Sequence, residues 1–128
     1  MEEFLRVMRA CSDRNRVLIL KILQQGPRCV CEMQALLGVA QPTVSKHLRI
    51  LEEAGLIFHR KEGLWVEYAL TSGERSPYAA ALLGNLRHWL EEDSRWTEIR
   101  DRLKGIDRYE ACQVLKTGKR GGEGKCRR

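Results

Sequence analysis

The 128-residue sequence predicts a mainly α-helical domain with a small β-hairpin. Apolar residues Val44, Leu48 and Leu51 recur at i, i+4 and i+7, the spacing of one helix face, and Gly55 follows at a position that ends a helix. From residue 56, aromatic and β-branched residues stand on both sides of a charged turn at 61–63, which is typical of a hairpin over about 56–70. Because a short helix and a tight glycine turn precede this pattern, we expect a winged helix-turn-helix.

Two further helices are expected before the helix-turn-helix. Residues 3–10 predict a short amphipathic helix, which we interpret as a dimer or cap helix. Ser12 and Asp13 supply an N-cap for a strongly apolar second helix that stops at Gly26 and Pro27. The composition of this second helix indicates a place in the core.

The third and fourth helices make up the helix-turn-helix itself. Residues 28–37 are expected to form a short helix whose first turn holds Cys29 and Cys31 and which ends at Gly38. After a three-residue turn, Pro42 occupies a position where a helix can spare an N–H, so the fourth helix begins there.

The C-terminal third predicts dimerisation helices and then a tail. Ser76 and Pro77 open a fifth helix, about 76–92, whose apolar stripe we expect to pair with residues 3–10 in a homodimer. Short helices are expected at 94–103 and 107–115, and the domain is predicted to span 1–115. Residues 116–128 hold four glycines and six basic residues, which predicts disorder.

Charge, hydropathy and cysteine content bound the class of protein. The net charge is +6, but six basic residues against one glutamate leave +5 in residues 116–128 and only +1 in the domain, so DNA binding must be argued from local geometry. No run of about eighteen apolar residues and no signal peptide are evident, so we expect a soluble cytoplasmic protein with no membrane partner. Five cysteines, an odd number, indicate reduced thiols and not a disulfide framework.

Cys29 and Cys31 are the candidate ligand-binding residues. Thiolates select soft ions, whereas Mg²⁺ or Ca²⁺ would need oxygen ligands that this segment lacks. Side chains at i and i+2 of a regular helix point about 200° apart, so chelation requires an extended or frayed first turn. We expect the helix N-terminus to lower the pKa of these thiols. The alternative is that both are small buried core residues.

The start of the fourth helix and the hairpin tip are the candidate DNA-binding surfaces. Thr43, Lys46 and His47 share one face at i, i+3 and i+4 and are expected to read bases, while Ser45 and Arg49 are expected to contact phosphate. The full predicted set is Gln41, Thr43, Ser45, Lys46, His47, Arg49, Arg60 and Lys61. The alternatives are an ordinary solvated helix start and a hairpin edge kept soluble by charge.

Several spaced motifs carry a family resemblance. They are CSDRNRVLIL at 11–20, CVCEM at 29–33, QPTVSKHL at 41–48, LEEAGLI at 51–57 and RKEGLWVEY at 60–68. In this order they resemble the arsenic-responsive repressors of the ArsR/SmtB family. The resemblance implies a homodimeric winged-helix repressor that is not an enzyme. Such a repressor holds no permanent cofactor. Such a repressor leaves its operator DNA when trivalent arsenic or antimony binds, so that a resistance operon is expressed.

The chain departs from this family at two positions. Members with such a thiol site often have a third cysteine where Gln34 stands here. We therefore favour Cys112 as the third ligand, with Cys11 and Cys126 as the alternatives. With no third thiolate, the pair would suit monomethylated trivalent arsenic. His88 resembles half of a zinc site of other branches, but Arg75 and Pro77 occupy the partner positions, so we expect His88 at the surface or interface.

Three alternative functions use the same residues. A cadmium, lead or zinc sensor would combine the two thiols with Cys11. A redox-sensing repressor would oxidise Cys29 or Cys31 instead of binding an ion. A small thiol enzyme such as an arsenate reductase is disfavoured, because no anion-binding loop and no base near the thiols can be identified.

Overall fold

The computed structural model describes residues 1–105. Its elements are α1 (Glu2–Ala10), α2 (Arg14–Leu23), β1 (Arg28–Cys29), α3 (Val30–Leu37), α4 (Gln41–Glu53), β2 (Ile57–Glu62), β3 (Trp65–Leu70), α5 (Pro77–Leu86) and α6 (Ser94–Leu103). The predicted fold class, mainly α with a small β-hairpin in a winged helix-turn-helix, is confirmed. The helix predicted at 107–115 and the predicted disordered tail lie outside the described residues.

A central apolar core holds the helices together. Ile19, Leu20 and Ile22 of α2 are fully buried and pack against residues of α3, α4 and α6 in the same cluster. Asp13 caps α2 as predicted, its carboxylate accepting from the backbone N–H groups of Asn15 and Arg16. In residues 1–105 no helix is long and apolar enough to cross a membrane.

The predicted helix-turn-helix consists of α3, a three-residue turn and α4. Gly38 ends α3 at φ +72°, a left-handed conformation that glycine adopts without steric cost. Pro42 lies in the first turn of α4, and Gly55, at φ +82°, follows the C-cap of that helix. These boundaries depend on local sequence alone, which explains why they agree with the sequence prediction.

The small sheet contains a strand that the sequence did not predict. Its order is β1-β3-β2, all antiparallel. Residues Arg28 and Cys29, expected in helix three, are extended and pair with Tyr68 and Glu67 of β3. That expectation was wrong because pairing partners forty residues away determine the conformation of this dipeptide. The hairpin turn lies at Gly63 and Leu64 instead of 61–63.

The fifth helix is shorter than the predicted range of 76–92. It ends at Leu86, and Leu90, expected in its apolar stripe, has φ +60° and is half exposed. The reason is the buried Lys21 of α2, whose Nζ donates to the carbonyls of Leu86 at 2.9 Å and Trp89 at 2.7 Å and pairs with the Glu91 carboxylate. These bonds hold the chain in turns where the periodicity predicted helix.

Candidate functional site

The N-terminal half of α4 presents a polar surface opposite its buried face. Val44, Leu48 and Leu51 are buried in the core. The recognition surface is defined as the predicted polar residues of α4 that remain accessible: Gln41, Thr43, Ser45, Lys46 and Arg49. Thr43, Lys46 and Arg49 are exposed, and the other two are half-buried. These side chains are therefore available to a DNA groove.

His47 does not belong to this surface, so the expectation that it shares the exposed face of Thr43 and Lys46 was wrong. It is only 9% exposed. Its Nδ1 accepts from Arg16 Nη1 at 3.2 Å, and its Nε2 lies 3.9 Å from the Asp13 carboxylate. Because an arginine donates to Nδ1, the ring is neutral with its proton on Nε2. His47 thus joins α4 to the start of α2.

The buried position of His47 predicts a pH-dependent stability. Burial lowers the pKa of His47 below its usual value of 6.5, against an opposing attraction from Asp13. The unfolded chain therefore binds this proton more readily, so stability is full above about pH 6.5 and falls as pH drops toward the folded-state pKa, by at most about 1.4 kcal/mol per pH unit. Urea denaturation at about pH 7.5 and about pH 5.5 measures this.

His47→Gln is the matched control, because its amide can still accept from Arg16 but does not titrate. We expect this variant to lose less stability than the parent chain between the two pH values. An equal loss in both proteins would assign the pH dependence to groups other than His47.

The predicted wing cations lie at the exposed end of the hairpin. Arg60 and Lys61 are both exposed on β2. The Arg60 guanidinium lies 3.7 Å from the Glu62 carboxylate and 3.5 Å from that of Glu67 on β3. Two carboxylates therefore position Arg60, whereas Lys61 extends into solvent.

Cys29 and Cys31 lie together at the start of α3. Both are fully buried, and the indole of Trp65 on β3 packs against them. Cys29 is the N-cap, with extended backbone at φ −93° and ψ 170°, and Cys31 is the second helical residue. The extended N-cap lets the two side chains meet through a hydrogen bond, as the sequence argument required of a chelating pair. The N-terminal end of α3 therefore holds two adjacent sulfur donors.

Glu32 reinforces this arrangement with a capping box. Its Oε1 accepts from the Cys29 backbone N–H at 2.8 Å, and its own N–H donates to the Cys29 sulfur. The Arg28 guanidinium lies 3.5 Å from the same carboxylate. Glu32 was not among the residues predicted from the sequence, although a glutamate three residues after the N-cap is a recognised local signal. Trp65 and Glu67 had no such signal.

The thiol electrostatics differ from the expectation. The hydrogen bond with Cys31 and burial raise the pKa of Cys29 above its usual range, so the prediction that the helix N-terminus lowers it was wrong. The Glu32 backbone N–H lowers the Cys29 pKa, but the hydrogen bond with Cys31, burial and the negative charge of Glu32 outweigh it. Cys29 is therefore a protonated thiol near neutral pH.

The described residues do not complete a three-ligand site around Cys29 and Cys31. In the part of the chain that the structure describes, no group of three or more Cys, His, Asp or Glu side chains could hold a metal ion. Cys11 packs against the main core instead of the thiol pair, and burial raises its pKa to about 11. Gln34, one turn after Cys31, is buried. Cys112 and Cys126 lie outside the described residues.

Comparisons with known proteins place this geometry in a family. The family model described as bacterial regulatory protein, arsR family, matches residues 13–58. The arsenic resistance transcriptional regulator ArsR2 of Pseudomonas putida is 38% identical over 103 residues, covering 79% of this chain and 86% of that protein. This chain belongs to the ArsR family. It is therefore a winged-helix transcriptional regulator, as the sequence resemblance implied.

The names of some other matched proteins give a different ligand or none. A cadmium resistance transcriptional regulatory protein CadC homolog of Staphylococcus aureus is 39% identical over 66 residues, covering 51% of this chain and 54% of that protein. The solved homodimeric winged helix-turn-helix DNA-binding domain of a possible ArsR-family regulator from Mycobacterium bovis covers 71% of this chain and 81% of its own, at 30% identity and a TM-score of 0.59. Membership of the family therefore does not identify the ion that the protein senses. That ion has to be inferred from the chemistry of Cys29 and Cys31.

Proposed function

We propose that this ArsR-family protein is a homodimeric repressor that leaves its operator when trivalent arsenic or antimony bonds to Cys29 and Cys31. The observation that carries the proposal is the pair of buried, adjacent thiols at the N-terminus of α3, the helix that leads directly into α4. Two buried sulfur donors side by side suit a soft thiophilic ion better than a hard cation.

The first step of the response takes place within the Cys29 cap. A ligand shared by both sulfurs must draw the Cys29 side chain away from the Glu32 N–H, which removes one bond of the capping box. The other end of α3 is held by α6, since Arg95 donates to the Leu37 carbonyl at 3.0 Å and Arg102 to that of Ala35 at 2.9 Å. With that end held, we expect the N-terminal end of α3 and the sheet beside it to move.

DNA binding is assigned to the recognition surface and to the wing. In this proposal Thr43 and Lys46 read base edges, Gln41, Ser45 and Arg49 support them at the backbone, and Arg60 and Lys61 contact phosphates or the minor groove. We leave His47 out of the proposed contacts because it is only 9% exposed.

Dimerisation is assigned to α1 and α5. The Phe4 and Tyr78 rings make an edge contact at 5.5 Å between these helices, and both side chains remain more than one-third exposed. The dimer would place two copies of α4 about 34–36 Å apart or at multiples of that spacing, and so predicts an inverted-repeat operator.

Cys112 stays our proposed third ligand. It follows α6 in the sequence. With two thiolates alone, the site would bind a monomethylated trivalent arsenical or complete its coordination with an exogenous thiol or water. An X-ray absorption spectrum of the arsenite complex would count the sulfur ligands.

A cadmium sensor is the second candidate, supported by the cadmium resistance relative, and proton balance separates the two. Neutral arsenious acid condenses with two thiols and releases two waters, with no net proton. Cadmium bonds to two thiols by displacing a proton from each that is protonated. Because Cys29 is protonated near neutral pH, we expect cadmium affinity to rise by about tenfold per pH unit for each proton displaced, and arsenite affinity to stay nearly constant.

The test is fluorescence-polarisation measurement of operator release at about pH 6.5 and about pH 8. The operator is a duplex selected from a random pool by the wild-type protein. Release by arsenite at similar concentrations at both pH values supports the proposed function. Release by cadmium alone, more sensitive at the higher pH, would instead assign a cadmium sensor. Release by peroxide alone would assign a redox switch.

A further inference from the structure

Three residues form a line across the small sheet, from the thiol site to the wing. Cys29 on β1 is in register with Glu67 on β3, and Glu67 is in register with Arg60 on β2. Directly opposed residues of antiparallel strands point to the same face and lie about 4.5–5.5 Å apart at their Cβ atoms. The predicted arsenic ligand and a predicted DNA contact are therefore separated by one side chain, that of Glu67.

The central residue of this line is a buried carboxylate. Glu67 is 9% exposed, and its Oε1 lies 3.5 Å from Arg60 Nη2. The Glu67 carboxylate attracts the Arg60 guanidinium, so we expect the Arg60 side chain to follow a displacement of Glu67. Arg60 itself is 46% exposed along its side chain, which leaves its guanidinium accessible to a phosphate.

The strand that carries Cys29 is well suited to transmit a displacement. It has two residues, Arg28 and Cys29, and both pair with β3. The Cys29 N–H is held by Glu32 in the capping box, so a ligand that repositions the Cys29 side chain disturbs the cap and the strand pair together. Trp65, two residues before Glu67 on the same face of β3, packs against both thiols.

We propose that Glu67 is a positioning residue that links occupancy of Cys29 and Cys31 to the DNA-contacting pose of Arg60. In the ligand-free protein, Glu67 holds Arg60 where it reaches the operator backbone. Ligand binding displaces β1 and then Glu67, and Arg60 is drawn away from the phosphate. The wing thus contributes to release separately from any movement passed through α3 to α4. This inference rests on the proposed function.

The test compares two carboxylates that both lie beside Arg60. Glu67→Gln removes the charge in register with Cys29 and keeps the side-chain shape. Glu62→Gln is the matched control, because Glu62 lies 3.7 Å from Arg60 but pairs in register with Trp65 and is 54% exposed along its side chain. For each full-length variant, operator affinity is measured without an added ion, with sodium arsenite and, in parallel, with cadmium chloride. The release factor of an ion is the operator affinity without it divided by the operator affinity with it.

We expect Glu67→Gln to lower the release factor by at least about fivefold, and Glu62→Gln to change it by less than about twofold. Arsenite affinity, followed by tryptophan fluorescence, should remain within about twofold of wild type in both variants, a result that a merely structural role would not give. In an Arg60→Gln background, adding Glu67→Gln should lower the release factor no further.

Contrary results separate this inference from the proposed function. Suppose that wild type releases DNA but that the release factor of Glu67→Gln equals that of wild type, or falls no further than that of Glu62→Gln. The role of Glu67 is then overturned and the proposed function stands. A parallel loss of arsenite affinity in Glu67→Gln also overturns it, since Glu67 would then only support the thiol site. If neither ion releases DNA from wild type, the proposed function fails and this inference fails with it.

Discussion

Replacing Cys29 or Cys31 with serine is expected to abolish release by arsenite while leaving operator binding intact. A hydroxyl oxygen is a hard, protonated donor and cannot replace a sulfur bond to a soft ion. Serine is close to cysteine in shape, so the fully buried positions at the start of α3 should stay filled. A typical coupling free energy between ligand binding and DNA binding is about 1–3 kcal/mol, which corresponds to about 5–150-fold weaker operator binding with ligand. In these variants we expect arsenite to leave operator affinity unchanged.

The measurement is an operator titration with and without arsenite for each single variant. Cys11→Ser is the matched control, because Cys11 packs against the main core and not against the thiol pair. We expect this variant to release DNA as wild type does. If Cys29→Ser and Cys31→Ser both release at wild-type arsenite concentrations, the effector site lies elsewhere. If Cys11→Ser alone loses release, the cadmium-type ligand set becomes the better model.

Replacing Thr43 or Lys46 with alanine is expected to weaken operator binding by about 10–100-fold each, since a good base contact contributes about 1–3 kcal/mol of discrimination. Both side chains are exposed on the recognition surface, while the opposite face of α4 is packed in the core, so the folded state should be little changed. A loss that is equal on operator and random duplexes would assign Lys46 to phosphate contact instead, with a smaller dependence of affinity on salt.

Lys104→Ala is the matched control for Lys46→Ala. Lys104 is also an exposed lysine, but it follows α6, away from α4 in sequence. We expect operator affinity to change little in this variant. Equal losses for the two lysines would indicate that general positive charge, and not groove reading by α4, governs affinity.

His47 illustrates how a correct periodicity can still give the wrong exposure for a side chain. The i, i+3 and i+4 spacing does place it near Thr43 and Lys46 on the helix. Its ring nevertheless turns inward, because Arg16 donates a hydrogen bond to Nδ1 and the Asp13 carboxylate lies 3.9 Å from Nε2. No pattern within α4 contains this information, since it depends on a helix thirty residues earlier.

What the sequence alone determined are the features that depend on nearest neighbours along the chain. The Asp13 cap, the glycines after α3 and α4, the order of helices and hairpin, and the adjacency of two thiols to a helix-turn-helix all follow from spacings of a few residues. The family resemblance was readable for the same reason, since its motifs are local runs.

Contacts between segments far apart in the sequence complete the sites, and these became visible in the folded protein. Lys21 ends α5 by binding the Leu86 and Trp89 carbonyls. Pairing with Glu67 makes Cys29 part of a strand, and Trp65 closes over the thiols whose proximity and burial raise the Cys29 pKa. Strand pairing and burial depend on contacts between residues far apart in sequence. The thiol pair could therefore be located from the sequence, but its protonation and its connection to the wing could not.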